Sequence, residues 1–251
     1  MNLPPSGLHL PGCWMNSAGS MGFAPDGRIH FPEPMAAFIT HPISRLPRSP
    51  AERRICLPFA GGFLLHTGLP NPGLRVILKQ MGTRWARAGM PIWVHLLAES
   101  PTQLAEMTRE LEDQEGVEAL EISIPPHFTP SQALELASAG LGELPLVIHI
   151  PITRAGESWL DRLPEMGISA ISLGAPRGTL PLPDGGQVTG RLYGPALFPL
   201  TLAAVKASVG LKLPVIAGAG IFGREQAEAL LKAGAAAVQL DAVLWRGWFE
   251  N

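Results

Sequence analysis

The chain has 251 residues, 46% of them hydrophobic and only 16% charged, with a net charge of −2. This balance carries no basic footprint for nucleic acid. No apolar run approaches the ~20 residues of a membrane span, so the expectation is a cytoplasmic protein whose ligands are small molecules. Two cysteines, Cys13 and Cys56, are too few for a disulfide framework, and the first residues lack the basic flank and apolar core of a signal peptide. The low charge suits an extra buried surface, as in a homo-oligomer or a partner subunit.

Eight short apolar runs follow one another at 14–18, 37–40, 92–97, 119–124, 146–150, 170–173, 215–217 and 236–240. Patterns of mixed apolar and polar residues at 75–88, 102–114, 130–141, 157–166, 195–209 and 224–233 predict helices between them. Ser100-Pro101 and Thr129-Pro130 read as helix starts, and Gly89, Gly116, Gly167 and Gly234 as stops. Segment 23–35 is too broken for a full first helix, and 242–251 allows only a short last one. Residues 42–58 and 174–194, rich in proline and glycine, read as loops. Strand alternating with helix eight times predicts a single-domain (β/α)8 TIM barrel over 1–251, with a reduced first crossover.

Such barrels place their chemistry in the loops after the strands' carboxyl ends. Gly218 and Gly220 follow the seventh strand, where glycines let amides approach an anion; a tight turn needing positive φ is the competing reading. His41, His95 and His149 fall at the ends of strands two, three and five. Together they read as ligands for zinc or another divalent ion, with Glu99, Glu121 or Asp241 as a fourth. Singly, each reads as a hydrogen-bonded core residue. His127 is an acid–base candidate or an exposed loop histidine. No lysine suits the mouth for Schiff-base chemistry, and neither a nucleophilic triad nor a Walker loop is evident. Trp245 and Trp248 are expected to cover the barrel base or an interface.

Several segments, in order, resemble dihydroorotate dehydrogenases: NSAGSMG at 16–22, GLPNPG at 68–73, EALEIS at 118–123, GRLYGPAL at 190–197, PVIAGAGI at 214–221 and AGAAAVQL at 233–240. The resemblance implies a flavin mononucleotide (FMN) oxidoreductase of pyrimidine biosynthesis. It places Ala18, Gly19 and His41 near the flavin, Gly194, Gly218 and Gly220 around its phosphate, and Asn71 and His95 near the substrate. The family's lysines are replaced by His41 and His149, an asparagine by His95, and another by Ser123. Gly174, Ala175 and Leu65 stand where further polar residues are lost. The base position falls at Pro126, which has no removable proton, leaving His127, His149 and Ser123 as catalytic candidates. Asp241 stands where the family has a glycine against the phosphate. Two unit charges 4 Å apart at an effective dielectric of 20 repel by about 4 kcal/mol, so Asp241 must be neutral, turn away, or exclude the phosphate. As an N-cap it would also occupy a first-turn amide. The sequence thus supports an FMN oxidoreductase of dihydroorotate dehydrogenase type. The alternatives are a metal-binding barrel and a catalytically silent paralogue acting as a partner subunit.

Overall fold

A computed structural model describes residues 7–26 and 34–246. In chain order the first half contributes β1 (Trp14–Asn16), β2 (Met35–Ile39), β3 (Ile43–Ser44), β4 (Ile55–Phe59), β5 (Gly62–His66), α1 (Leu74–Ala86), β6 (Ile92–Leu97), α2 (Pro101–Glu112) and β7 (Val117–Ser123). The second half adds α3 (Pro130–Ala139), β8 (Leu146–Pro151), β9 (Ala170–Gly174), β10 (Arg177–Pro181), β11 (Gln187–Tyr193), α4 (Phe198–Ser208), β12 (Val215–Gly218), α5 (Arg224–Lys232) and β13 (Ala237–Leu240). Strands β1, β2, β6, β7, β8, β9, β12 and β13 pair in parallel in that order, and β13 returns to β1. The eight expected runs therefore close into a barrel, with β3 extending β6 at its mouth.

Two helix starts act as expected. Ser100 Oγ accepts from the Gln103 amide, and Thr129 forms a capping box with Gln132, each followed by proline at the first turn. The expected helix over 157–166 is instead one 3-10 turn, Ser158–Arg162, preceded by another at Ile152–Arg154. Pro164 would have stood inside that helix without an amide to donate. The last crossover is a 3-10 turn, Ala242–Arg246, and most of segment 23–35 lies outside the described residues.

The two expected loops are not simply loops. They supply β4, β10 and β11, which join β5 in a separate antiparallel sheet ordered β10-β11-β5-β4. Its pairings link residues far apart in sequence, such as Leu64 with Leu192, so no local pattern announces it. Among the described residues no helix is long and apolar enough to cross a membrane, and Cys56 is exposed.

Strand periodicity explains the interior. Alternate side chains point inward, so Ala37, Trp93, Ala119, Val147, Ala170, Ile216 and Ala237 fill the lower barrel as one apolar cluster with Met15 and Ile39. The opposite faces, including Phe38, Val94, Leu120, Ile148, Ile171 and Val238, pack under the helices. Two residues further along, the inward positions change character: His95, Glu121, His149, Ser172 and Gln239 stand above the apolar floor. The barrel is thus plugged at its base and polar from the middle upward.

Trp93 is the largest side chain of the floor. Trp93→Ala is expected to cost about 3–5 kcal/mol in urea unfolding, whereas exposed Leu200→Ala should change stability by less than about 0.5 kcal/mol.

Candidate active site

Glu121 lies at the centre of the polar layer and is completely buried. Its inward direction follows from β7, where Ala119, Glu121 and Ser123 share a face. The carboxylate accepts from His95 Nδ1 (2.6 Å), Ser172 Oγ (2.6 Å) and Gln239 Nε2 (2.7 Å). Burial by itself would push Glu121 up; the His95 hydrogen bond, with the pull of His149 and His95 and the Ser172 hydrogen bond, outweighs it and holds the group at about 2. An ionised Glu121 needs donors on every side, and this fixes the protons around it. His95 donates from Nδ1, so its Nε2 accepts from Ser123 Oγ at 2.8 Å. Ser172 donates to Glu121, so it accepts from His149 Nδ1 at 2.9 Å. Burial drives His149 down to about 3, against the opposing pull of Glu121, so it is neutral with Nε2 as an acceptor.

Ser123, His95 and Glu121 therefore form a continuous hydroxyl–imidazole–carboxylate relay. No run of adjacent residues announces it. The available signal was the two-residue spacing of Glu121 and Ser123 on a strand whose inward face begins at Ala119.

The relay opens into a cavity of about 440 Å³ at the carboxyl ends of the strands, within the range of small-molecule sites. Ser123, His127 and His149 line it, as do Pro126, Arg48, Arg177 and Arg191. The two arginines of the β10–β11 hairpin and Arg48 were not foreseen, because their strand or loop was not placed at the mouth. A narrower crevice of about 20 Å³ adjoins the cavity at His149, Ala175 and Arg191. Ser17, Ala18, Gly218, Tyr193, Gln239 and Asp241 complete its walls. Its space suits about one water.

The three-histidine metal centre is not assembled. Both ring nitrogens of His95 are committed to Glu121 and Ser123, and no group of metal-binding side chains is gathered among the described residues. His41 stands apart, edge-on to Phe23, with Nε2 buried and lacking a partner. Burial lowers its pKa, and the charges of His95 and Arg191 add to this. Neither His41 nor His149 thus replaces a lysine's charge; the cation between them is Arg191.

Other expected residues divide in the same way. Asn71 is spent on its turn, accepting from the Ser44 amide and hydroxyl and the Gly73 amide, so it does not face the cavity. His95 reaches the cavity only through Ser123. Gly19 packs beside His41 and Pro42. Gly218 lines the crevice, but a Cβ on Gly194 would overlap the Gly61 carbonyl, and one on Gly220 the Phe198 amide. These two glycines permit close backbone approach. Asp241 Oδ1 caps the Ala242 amide at 2.5 Å, and burial pushes its pKa up to about 7 against that bond. Trp245 lies at the mouth rather than the base: it donates to the Ser20 carbonyl at 2.9 Å and neighbours Phe63 and Tyr193. Trp248 falls outside the described residues.

The fold and mouth define a ligand-binding (β/α)8 barrel of the kind that hosts enzyme sites. No family model matches the chain, but relatives cover nearly all of it. A putative dihydroorotate dehydrogenase A (fumarate) from Aeropyrum pernix is 27% identical over 259 aligned residues, covering 94% of this chain and 84% of the relative. The catalytic subunit of dihydroorotate dehydrogenase B (NAD(+)) from Pelobacter propionicus is 26% identical with the same coverages. A dihydroorotate dehydrogenase (quinone) from Coxiella burnetii reaches 34% identity over 57% of the chain and 37% of its own length. Over most of its length the chain is thus similar, at low identity, to dihydroorotate dehydrogenases, as a divergent relative of them.

The buried layer ties stability to pH. His149, depressed in the folded protein, contributes stability that is present above its ordinary value of 6.5 and lost as pH falls toward about 3. Glu121 contributes stability that is present above its ordinary value of 4.5 and lost toward about 2. Asp241, raised, works in the other direction between 3.8 and about 7. His149→Gln is therefore expected to lose less melting temperature than the parent between pH 6.5 and 4; an identical loss in both would show that His149 is not buried neutral.

Proposed function

We propose that this chain is an FMN-dependent oxidoreductase of the dihydroorotate dehydrogenase type, oxidising dihydroorotate or a related small acid in the 440 Å³ cavity. The observation that carries the reading is the Ser123–His95–Glu121 relay ending on that cavity in a barrel whose relatives bear this activity in their names. Relatives named as catalytic subunits also support a partner subunit or an oligomer for this chain.

The flavin positions meet two conditions. The orphaned His41 Nε2 and the polar walls beside Ala18, Gly218 and His149 offer hydrogen-bonding partners for a ring's edges. As the side chains stand, however, the crevice has only about 20 Å³, with Arg191 among its walls, and Asp241 holds an amide that a phosphate would use. Arg191 is a half-buried, long side chain at the cavity edge, and rotamer changes of this kind are common on binding. Burial pushes the Asp241 carboxyl up to about 7, so its protonated form, favoured as pH falls, would not repel a phosphate. With both met, Ala18, His41, Gly218 and Arg191 would hold the cofactor.

Oxidation of dihydroorotate removes a hydride and a proton from adjacent carbons; FMN, when bound, accepts the hydride. The chain's residues manage the proton. Ser123 Oγ takes it from the substrate carbon as its own proton passes to His95 Nε2, and Glu121 stabilises the imidazolium so formed, as in other hydroxyl–histidine–acid arrangements. Neutral His149 offers Nε2 as an acceptor to substrate or ring. His127, exposed at the rim, is the weaker base candidate because it lacks a partner that would orient it. Pro125 and Pro126 help exclude water from the wall behind Ser123.

A second reading has a specific observation in its favour. The closed crevice and the Asp241 cap suit a paralogue that has lost the cofactor and keeps only ligand binding. The absorption spectrum decides between them: freshly purified or FMN-reconstituted protein should show bound flavin, and failure to take up FMN at pH 6.5 would overturn the oxidoreductase. Its FMN affinity should rise by a factor of about five to ten from pH 8 to 6.5, a slope that Asp241→Asn should abolish. Ser123→Ala should reduce turnover by about 10²–10⁴-fold, and His127→Ala by less than about tenfold.

A further inference from the structure

We propose that Arg177 and Arg191 form an oxyanion clamp that selects a substrate by its carboxylate. This assigns the specificity-determining residues of the oxidoreductase site and rests on that reading for its chemistry.

The argument begins with an unfavourable pairing. Arg177 and Arg191 are directly opposite each other in the antiparallel β10–β11 ladder, and like charges in that position destabilise a sheet. Both side chains line the 440 Å³ cavity. Burial lowers the pKa of Arg177, and the nearby charge of Arg191 lowers it further. Other arginines in the chain resolve such costs with acids: Arg45 meets Glu106 and Glu110, Arg53 meets Asp184, and Arg154 meets Glu157. Among the described residues, no carboxylate forms an ion pair with Arg177 or Arg191. Arg177 has only a long bond to the Thr189 carbonyl, at 3.5 Å, and Arg191 bonds the Tyr193 side chain.

The rest of the cavity forms no ion pair that cancels this charge: Asp241, which feels Arg191 from the adjoining crevice, spends Oδ1 on the Ala242 amide. Arg48 is already shared with Glu99 at 3.5 Å and with the Gly68 carbonyl at 2.7 Å. His149 is neutral. What remains is a surplus of two guanidinium groups on one side of a cavity and a relay hydroxyl, Ser123, on its wall. A carboxylate fits the surplus because its two oxygens match the guanidinium fork. Anchored at the hairpin, it would leave the adjoining carbon inside the cavity that Ser123 lines. The clamp comes from the antiparallel sheet and not from the barrel strands, which accounts for a substrate site that has lost its asparagines.

The test is calorimetric binding of orotate and of uracil, the same ring without the carboxylate, to the purified full chain at low salt. Orotate should bind at least about 100-fold more tightly than uracil. Arg177→Gln alone, on an exposed strand, should lower that ratio about tenfold, and Arg177→Gln/Arg191→Gln should bring it near one, with Arg177→Lys/Arg191→Lys intermediate. Equal affinities in the parent, binding of neither ligand, or a double variant that keeps the ratio while its circular dichroism is native would overturn the clamp. Flavin absorbance read on the same samples separates the two claims. Orotate selectivity in colourless protein that refuses FMN keeps the clamp and removes the oxidoreductase; yellow protein without selectivity does the reverse.

Discussion

One buried negative charge organises the upper half of this barrel. Glu121 has no cation beside it at hydrogen-bonding distance except an imidazole that can share a proton, so its burial is tolerable only because three donors converge on two oxygens. Each donor is then constrained in turn. The tautomer of His95, the acceptor role of Ser172 and the direction of the His149 ring all follow from satisfying one carboxylate. Chemistry at the mouth, whichever ligand arrives, begins from proton positions set a layer below.

The architecture separates stability from specificity. The floor from Met15 to Ala237 and the shell beneath the helices hold the barrel shut without reference to any ligand. The mouth is assembled from different material: loop residues, the hairpin arginines, and an acid, Asp241, placed where a glycine would leave an amide open. The residues that hold the fold and those that face a ligand are therefore largely separate sets.

The barrel was legible in the sequence because its strands are covered on both faces and stand out as uninterrupted apolar runs. The helix caps at Ser100 and Thr129 were legible because their signals are local. The second sheet was not, since β5 finds β11 only after the chain has travelled most of its length. The site shows the same division. Position along a strand identified Ser123, His149 and Gly218 as mouth residues, whereas the partners of each histidine depended on register between strands. That is why three imidazoles at strand ends read as a metal centre, whereas His95 and His149 share the Glu121 network and His41 stands apart, and why Arg177 and Arg191, in a segment that reads as a loop, carry no such signal.

The charge state of Glu121 is the point on which the relay, the histidine tautomers and the pH behaviour all rest. Carboxyl carbon-13 nuclear magnetic resonance, with Glu121→Gln used to assign the signal, measures it directly. The group should stay largely ionised down to about pH 3, with its midpoint near 2; a midpoint at or above its ordinary value of 4.5 would mean a protonated acid in the barrel and would contradict this account.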